Sequence, residues 1–310
     1  MEVESPITNK SKTTVAAAFQ AADIIRLYNE QLGIDVKRFF AGIDPIYLYL
    51  DKETGYRFYY PTSLAGDGKF YEALQEKLGS GYYHEWKFEN QVAFDIIKES
   101  DKLLDIGCGT GNFLTRATEK TRDVYGLEMN EKAVEECRSR KLRVFNESIQ
   151  QHSKDHREIY DMVTMFQVLE HVYDVKSFLE ASLKVLKPSG KLVIGVPNSE
   201  PYFLKYDKYC TLNLPPHHMG LWNKKTVQKI APFFNLKLES VTYDDNIKFL
   251  TESYTLAKLI GNVRSLPGKH SIKDKSIILM SALISIPVTF FKRIFKVSHG
   301  SHMVAVFQKI

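Results

Sequence analysis

From Leu103 onward, short apolar runs recur along the chain and amphipathic stretches fill the gaps between them. Leu103–Ile106, Val124–Leu127, Leu142–Phe145, Met162–Phe166, Lys191–Val196, Leu236–Tyr243 and His302–Gln308 read as strands. Asn130–Lys141 and Val175–Leu186 have helical spacing, and Lys187-Pro188-Ser189-Gly190 closes the second. This alternation predicts an α/β fold, a doubly wound, seven-stranded, mostly parallel sheet with helices on both faces. A helical insertion, residues 244–301, separates the last two strands, and a connection that long is expected to have a role.

The front of the chain has a different pattern. Val15–Leu32 is alanine-rich with helical character, and Ile46–Leu50 and Tyr56–Tyr60 read as two aromatic strands around the turn Asp51–Gly55. Pro61–Gly68 is expected as loop, and Lys69–Leu78 and His84–Glu99 as helices. Residues 15–90 are read as an α+β cap without a core of its own, preceded by a flexible stretch, 1–14, and followed by the main domain, 91–310.

A length of 310 residues with 44% hydrophobic and 25% charged positions excludes disordered and fibrous classes. Cys108, Cys137 and Cys210 are far apart and lack metal-ligand spacing, so neither a disulfide framework nor a zinc site is expected. The polar first residues suggest no secretory signal, and a reducing, cytoplasmic setting follows. The net charge of +5 is unevenly spread: from Arg264 to Ile310 there are eight Lys/Arg against Asp274 alone. Basic residues gathered in one tail argue against nucleic acid as partner.

The chemistry concentrates where the first main-domain strand meets its helix. Asp105-Ile106-Gly107-Cys108-Gly109-Thr110-Gly111 places glycine at every second position of a turn, as a backbone does when a ligand lies against it. The next strand ends in Glu128, about 20 residues on, where a carboxylate can accept both hydroxyls of a ribose. A solvated strand-end charge is the lesser alternative for Glu128.

The spacing Asp-x-Gly-x-Gly-x-Gly resembles motif I of the class I S-adenosylmethionine-dependent methyltransferases rather than the dinucleotide pattern G-x-G-x-x-G. Tyr160-Asp161-Met162-Val163, then Phe166-Gln167-Val168-Leu169-Glu170-His171-Val172, then Leu186 to Asn198 resemble the fourth and fifth strands of that family. The resemblance implies a Rossmann-like methyltransferase fold and S-adenosylmethionine as cosubstrate. It puts Asp105 and Gly107 near the methionine amino group, with Cys108, Gly109, Gly111, Asn112 and Phe113 completing the turn. It implies Glu128 on the ribose, Met129 on the adenine face, Glu147, Ser148 and Ile149 at the adenine edge, and Gln167 and Val168 lining from the fourth strand. Parts of the front, including Tyr82-Tyr83-His84-Glu85-Trp86, resemble methyltransferases of bacterial surface-polysaccharide and sugar modification, which implies Tyr71, Tyr83 and Trp86 as lid residues.

Methyl transfer to an alcohol or carbon needs a base with a pKa near neutrality, which favours histidine. His171 stands just past the fourth strand, and His217 and His218 follow the fifth, where acceptor contacts belong. A brace for the following loop is an equal reading of His171. No acid at i+4 and no CxxC supports a metal at the histidine pair, so none is expected. Similar ubiquinone-pathway O-methyltransferases can use acidic and histidine residues near Leu-Glu-His with a divalent ion, which keeps metal assistance as a lesser option.

The expected acceptor is a small molecule, sugar or lipid-linked precursor. Ser276–Phe291 is sixteen residues without a charge, followed by Lys292-Arg293. It is too short and too Pro-interrupted to span a bilayer, so residues 276–296 suggest peripheral contact with the inner face of a membrane. A membrane-associated binding protein of the same fold, catalytically inactive, is the alternative from another class, and an NAD-dependent oxidoreductase is a third.

Overall fold

The computed structural model describes residues 2–78, 86–200, 210–244 and 300–310. The main sheet contains β4 (Lys102–Ile106), β5 (Asp123–Leu127), β6 (Val144–Phe145), β7 (Tyr160–Phe166), β8 (Leu186–Pro197), β10 (Leu236–Tyr243) and β11 (His302–Lys309). Their order is β10-β11-β8-β7-β4-β5-β6, and only β11 runs against its neighbours. This is the seven-stranded, mostly parallel sheet the alternation predicts. Central strands are apolar almost throughout because both faces are covered, as in β4, where Leu103 to Ile106 are all buried. The edge strand β10 instead alternates between half-buried and exposed positions.

Helices α4 (Asn112–Ala117), α5 (Glu131–Ser139), α6 (Ile149–Asp155) and α7 (Val175–Val185) connect the parallel strands. Their starts are written in local chemistry. The side chains of Asn130, Ser148 and Asp174 each accept a hydrogen bond from the backbone N–H three residues on. The strand expected from Lys191 begins earlier, at Leu186, so the Lys187–Gly190 turn is part of β8.

The front differs from the expectation in several ways. Thr13–Phe19 is a strand, β1, and only Ala21–Leu32 is helical, α1. Pairing with β2 (Ile46–Asp51) overrides the alanine propensity, with Val15 opposite Tyr49 and Phe19 opposite Ile46. β3 (Arg57–Tyr60) pairs with β2 as expected, and β9 (Gly220–Leu221), from far along the chain, pairs with β3. The resulting four-stranded sheet has its own apolar core, including Phe19, Ile24, Tyr28, Leu48, Phe70 and Leu214, so the cap is a second core after all.

The first residues are not a loose lead-in. Val3 and Ile7 are buried in the main core, and Ser5 donates to Asp51 Oδ2 at 2.7 Å. Helix α2 (Gly68–Leu78) forms as expected, whereas the next one, α3, covers only Phe88–Asp95 of the expected 84–99. The expected boundary at residue 90 falls inside α3. The insertion 244–301, apart from its ends, lies outside the described residues, as does the stretch 276–296. Among the described residues, no helix is long and apolar enough to cross a membrane.

Candidate active site

The glycine turn joins β4 to α4 at the carboxyl end of the main sheet. Gly107 has φ +72°, and a Cβ there would lie 2.6 Å from Val168 Cγ2, so the turn from β7 closes directly over it. Gly111 has φ +78°, but its missing Cβ faces Leu142 Cδ1 at 2.5 Å and Cys137 Sγ at 2.9 Å. On that side Gly111 lets α4 pack closely against protein. The side chains of Cys108 and Phe113 are also turned into protein. Both are buried in one core cluster, and Phe113 meets Phe166 edge-on at 4.9 Å between centroids.

Glu128 stands at the end of β5 against this turn. Its Oε2 accepts from the Gly109 N–H at 2.9 Å, and Oε1 accepts from the Met129 and Asn130 N–H groups at 2.8 Å each. A carboxylate offers about four acceptor sites. Three of them are taken by backbone N–H groups. Met129 is 65% exposed, as a residue must be to meet a ligand face.

Asp105 is 2% exposed and accepts from Thr164 Oγ1 at 2.7 Å. Burial pushes its carboxyl up to about 7, and the nearby Glu128 charge adds to the rise against the Thr164 hydrogen bond.

The residues expected at the adenine edge have partners of their own. Glu147 Oε1 is 2.7 Å from His152 Nδ1, Ser148 caps α6 with Gln151, and Ile149 is 1% exposed. Gln167 has φ +56°, and its amide donates to Glu89 Oε1 at 3.1 Å. Trp86 stacks on Phe113, with the Arg116 guanidinium 4.2 Å from its ring centroid, which ties it to α4. Tyr83 lies outside the described residues.

The three candidate histidines converge. β9 zips the segment carrying His217 and His218 to the front sheet, and the Met219 and Gly220 N–H groups donate to the Glu170 carbonyl oxygen at 2.7 and 3.0 Å. The His171 and His217 ring centroids are thereby 4.6 Å apart, and those of His171 and His218 5.0 Å apart. Tyr71 completes the group, its hydroxyl donating to the His217 carbonyl oxygen at 3.1 Å.

Burial pushes His171 down to about 4 and His217 to about 3, and holds His218 well below the ordinary range. Imidazoles this weakly basic are poor general bases at neutral pH. His171 also has a partner of the kind a brace would have, its Nδ1 lying 2.7 Å from the His217 carbonyl oxygen.

Two buried carboxyls were not among the expected site residues. Glu170 is 1% exposed, and its Oε2 has no hydrogen-bond partner among the described residues. Glu89, 2% exposed, sits at the start of α3 against β8, where a Cβ on Gly195 would meet its own Cβ at 3.0 Å. Burial raises Glu170 to about 8, with Glu89 adding to the rise. Glu170 was readable from its place in Leu169-Glu170-His171, but Glu89 carries no local signal.

The model of the methyltransferase domain family matches residues 80–241, more than half of the chain. A ubiquinone biosynthesis O-methyltransferase from Pectobacterium carotovorum is 32% identical over 103 residues, 31% of this chain and 43% of that one. One from a Shewanella species is 35% identical over the same length, 44% of that protein. The match thus spans less than half the length of these curated relatives. A crystal structure of an S-adenosylmethionine-dependent methyltransferase from Archaeoglobus fulgidus is 18% identical, covering 78% of this chain and 100% of its own, with a TM-score of 0.49. With the family match lying across the β4 glycine turn and the strands around it, the chain belongs to the methyltransferase domain family and has the class I S-adenosylmethionine-dependent fold.

Proposed function

We propose that the chain transfers a methyl group from S-adenosylmethionine to a hydroxyl of a small-molecule acceptor, free or carried on a sugar or lipid precursor, by in-line displacement. The observation that carries this reading is the Glu128 carboxylate, held against the glycine turn by the Gly109 N–H and oriented by the N–H groups of Met129 and Asn130. Its remaining acceptor site suits a ribose hydroxyl, and the Asp105 carboxyl at the end of β4 suits a cationic amino group. These residues fit the cosubstrate, which supplies an electrophilic methyl on a sulfonium when bound.

The chain's own residues hold and orient, since displacement at a methyl is chiefly a matter of alignment. Gly107, without a Cβ, lets Val168 close over the turn. His171, His217 and His218, neutral and packed together, border the acceptor side. That the relatives from Pectobacterium and Shewanella are O-methyltransferases supports oxygen as the accepting atom. Membrane contact through 276–296 rests on the sequence alone, and sedimentation with anionic vesicles tests it.

Calorimetry with S-adenosylhomocysteine tests the reading. One molecule is expected to bind per chain, and Glu128→Ala is expected to weaken it at least about tenfold, a loss of about 1.4 kcal/mol. A parent chain that does not bind, or a Glu128→Ala variant that binds equally well, overturns it.

A further inference from the structure

The loop that follows β6 lies against the end of β5. The Glu128 N–H donates to the Phe145 carbonyl oxygen at 3.1 Å, and the Asn146 side-chain amide donates to the Glu128 carbonyl oxygen at 2.9 Å. Glu147 comes next, with its side chain 32% exposed. A glutamate in such a loop keeps several rotamers unless something holds it.

His152 holds it. Its Nδ1 is 2.7 Å from Glu147 Oε1, and its Nε2 is 2.9 Å from the Tyr160 hydroxyl at the start of β7. The residue is 1% exposed, its ring stacked on His156 at 3.9 Å between centroids, with the Phe145 ring at 5.1 Å. The hydrogens are fixed by their partners. A carboxylate oxygen only accepts, so Nδ1 carries the hydrogen. Burial, with His156 and Lys102 adding to it, pushes the imidazole below its ordinary range against the pull of Glu147, and burial raises the Tyr160 phenol. A neutral imidazole donates from one nitrogen only, so Nε2 accepts from the Tyr160 O–H. The relay from Tyr160 through His152 pins Oε1 of Glu147 and leaves Oε2 to accept from a ligand.

We propose that His152, backed by Tyr160, is a positioning residue that aims Glu147 at the amino group of a bound adenine and so makes the chain select adenine over hypoxanthine. The adenine amino group donates to a carboxylate, whereas the hypoxanthine carbonyl in its place only accepts and is repelled. A carboxylate left to swing discriminates less, because it can turn away from the wrong base. Selection of this kind rests on S-adenosylmethionine being the cosubstrate, and it brings in two residues, His152 and Tyr160, from outside the glycine motif.

The test is calorimetry of the full chain with S-adenosylhomocysteine and with S-inosylhomocysteine, which has the carbonyl in place of the amino group. The parent is expected to favour the adenine ligand about tenfold or more. Glu147→Ala is expected to bring that ratio close to unity. His152→Leu is expected to lower it about fivefold, and Tyr160→Phe about twofold or more. His152→Asn, whose amide nitrogen can stand where Nδ1 stands, is expected to keep more of the ratio than His152→Leu. A merely structural brace would weaken both ligands alike and leave the ratio unmoved. Tyr160→Phe, which keeps the ring, decides the matter where His152→Leu does not fold. The proposal is overturned by a parent that binds both ligands equally, or by a parental ratio in folded His152→Leu or in Tyr160→Phe. A parent that binds S-adenosylhomocysteine with such an outcome removes the role of His152 alone, whereas a parent that binds neither ligand removes the cosubstrate reading and this role with it.

Discussion

Thr164 Oγ1 donates to Asp105 Oδ1 at 2.7 Å, joining β7 to β4 beneath the glycine turn, and both residues are buried. Asp105 titrates near 7 in the folded chain, against an ordinary 3.8. The folded state therefore binds more protons than the unfolded state between those values, and stability falls as pH rises through that window. The rise from 3.8 to about 7 sets the upper size of the fall at about 4 kcal/mol. Urea unfolding at pH 5 and pH 8 is expected to show the loss, and Asp105→Asn is expected to flatten it. An equal slope in both proteins removes Asp105 as the cause.

The Ser5–Asp51 hydrogen bond gives the first residues a structural role. Asp51 is fully buried, and Thr54 Oγ1 and the Glu53 N–H also donate to it, at 2.8 Å each. Ser5→Ala removes a bond to a carboxylate and is expected to lower stability by about 1.5–3 kcal/mol. Deleting residues 2–8 also exposes the pockets of Val3 and Ile7 and is expected to lower it further. A thermal melt of each variant measures this, and an unshifted midpoint returns residues 1–14 to the flexible stretch that their polarity suggests.

The features legible in the sequence were those made by neighbours along the chain. Asp105, Gly107 and Glu128 stand out as candidates because a strand, its turn and the next strand's end declare themselves locally, and all seven main strands follow from the same alternation. The partners of these residues were not legible. Val168 over Gly107, Cys137 under Gly111 and the N–H groups filling Glu128 are set by packing between elements. The histidines were visible singly, but their meeting depends on β9, a two-residue strand with no periodicity to read. Thr13–Phe19 misled because its alanines carry helical propensity, while its pairing with β2 is invisible without the fold.

Gly111 tests whether the third glycine serves packing. An alanine there adds left-handed strain and a Cβ that must displace Leu142 and Cys137. Gly111→Ala is expected to destabilise by about 2–4 kcal/mol, the strain and overpacking together. Chemical unfolding measures it. A variant of parental stability with weakened S-adenosylhomocysteine binding would return Gly111 to the ligand face.

Gly107 and Val168 offer the sharper test because their roles separate. An added Cβ at 107 falls 2.6 Å from Val168 Cγ2, so Gly107→Ala must push Val168 aside where the turn closes. Val168 is half-buried, and Val168→Ala alone is expected to change S-adenosylhomocysteine affinity by less than about threefold, since it takes only a little contact from one wall. Gly107→Ala is expected to weaken binding about tenfold or more. The double variant is expected to recover most of that loss, giving a coupling of about 0.5–3 kcal/mol for residues in contact. Stability will not recover with it, because the backbone at 107 keeps φ +72° whatever stands at 168. Calorimetry and unfolding of the four proteins read the two effects independently. Additive losses in affinity would mean that Gly107 is required by the ligand itself and not by the closure of Val168.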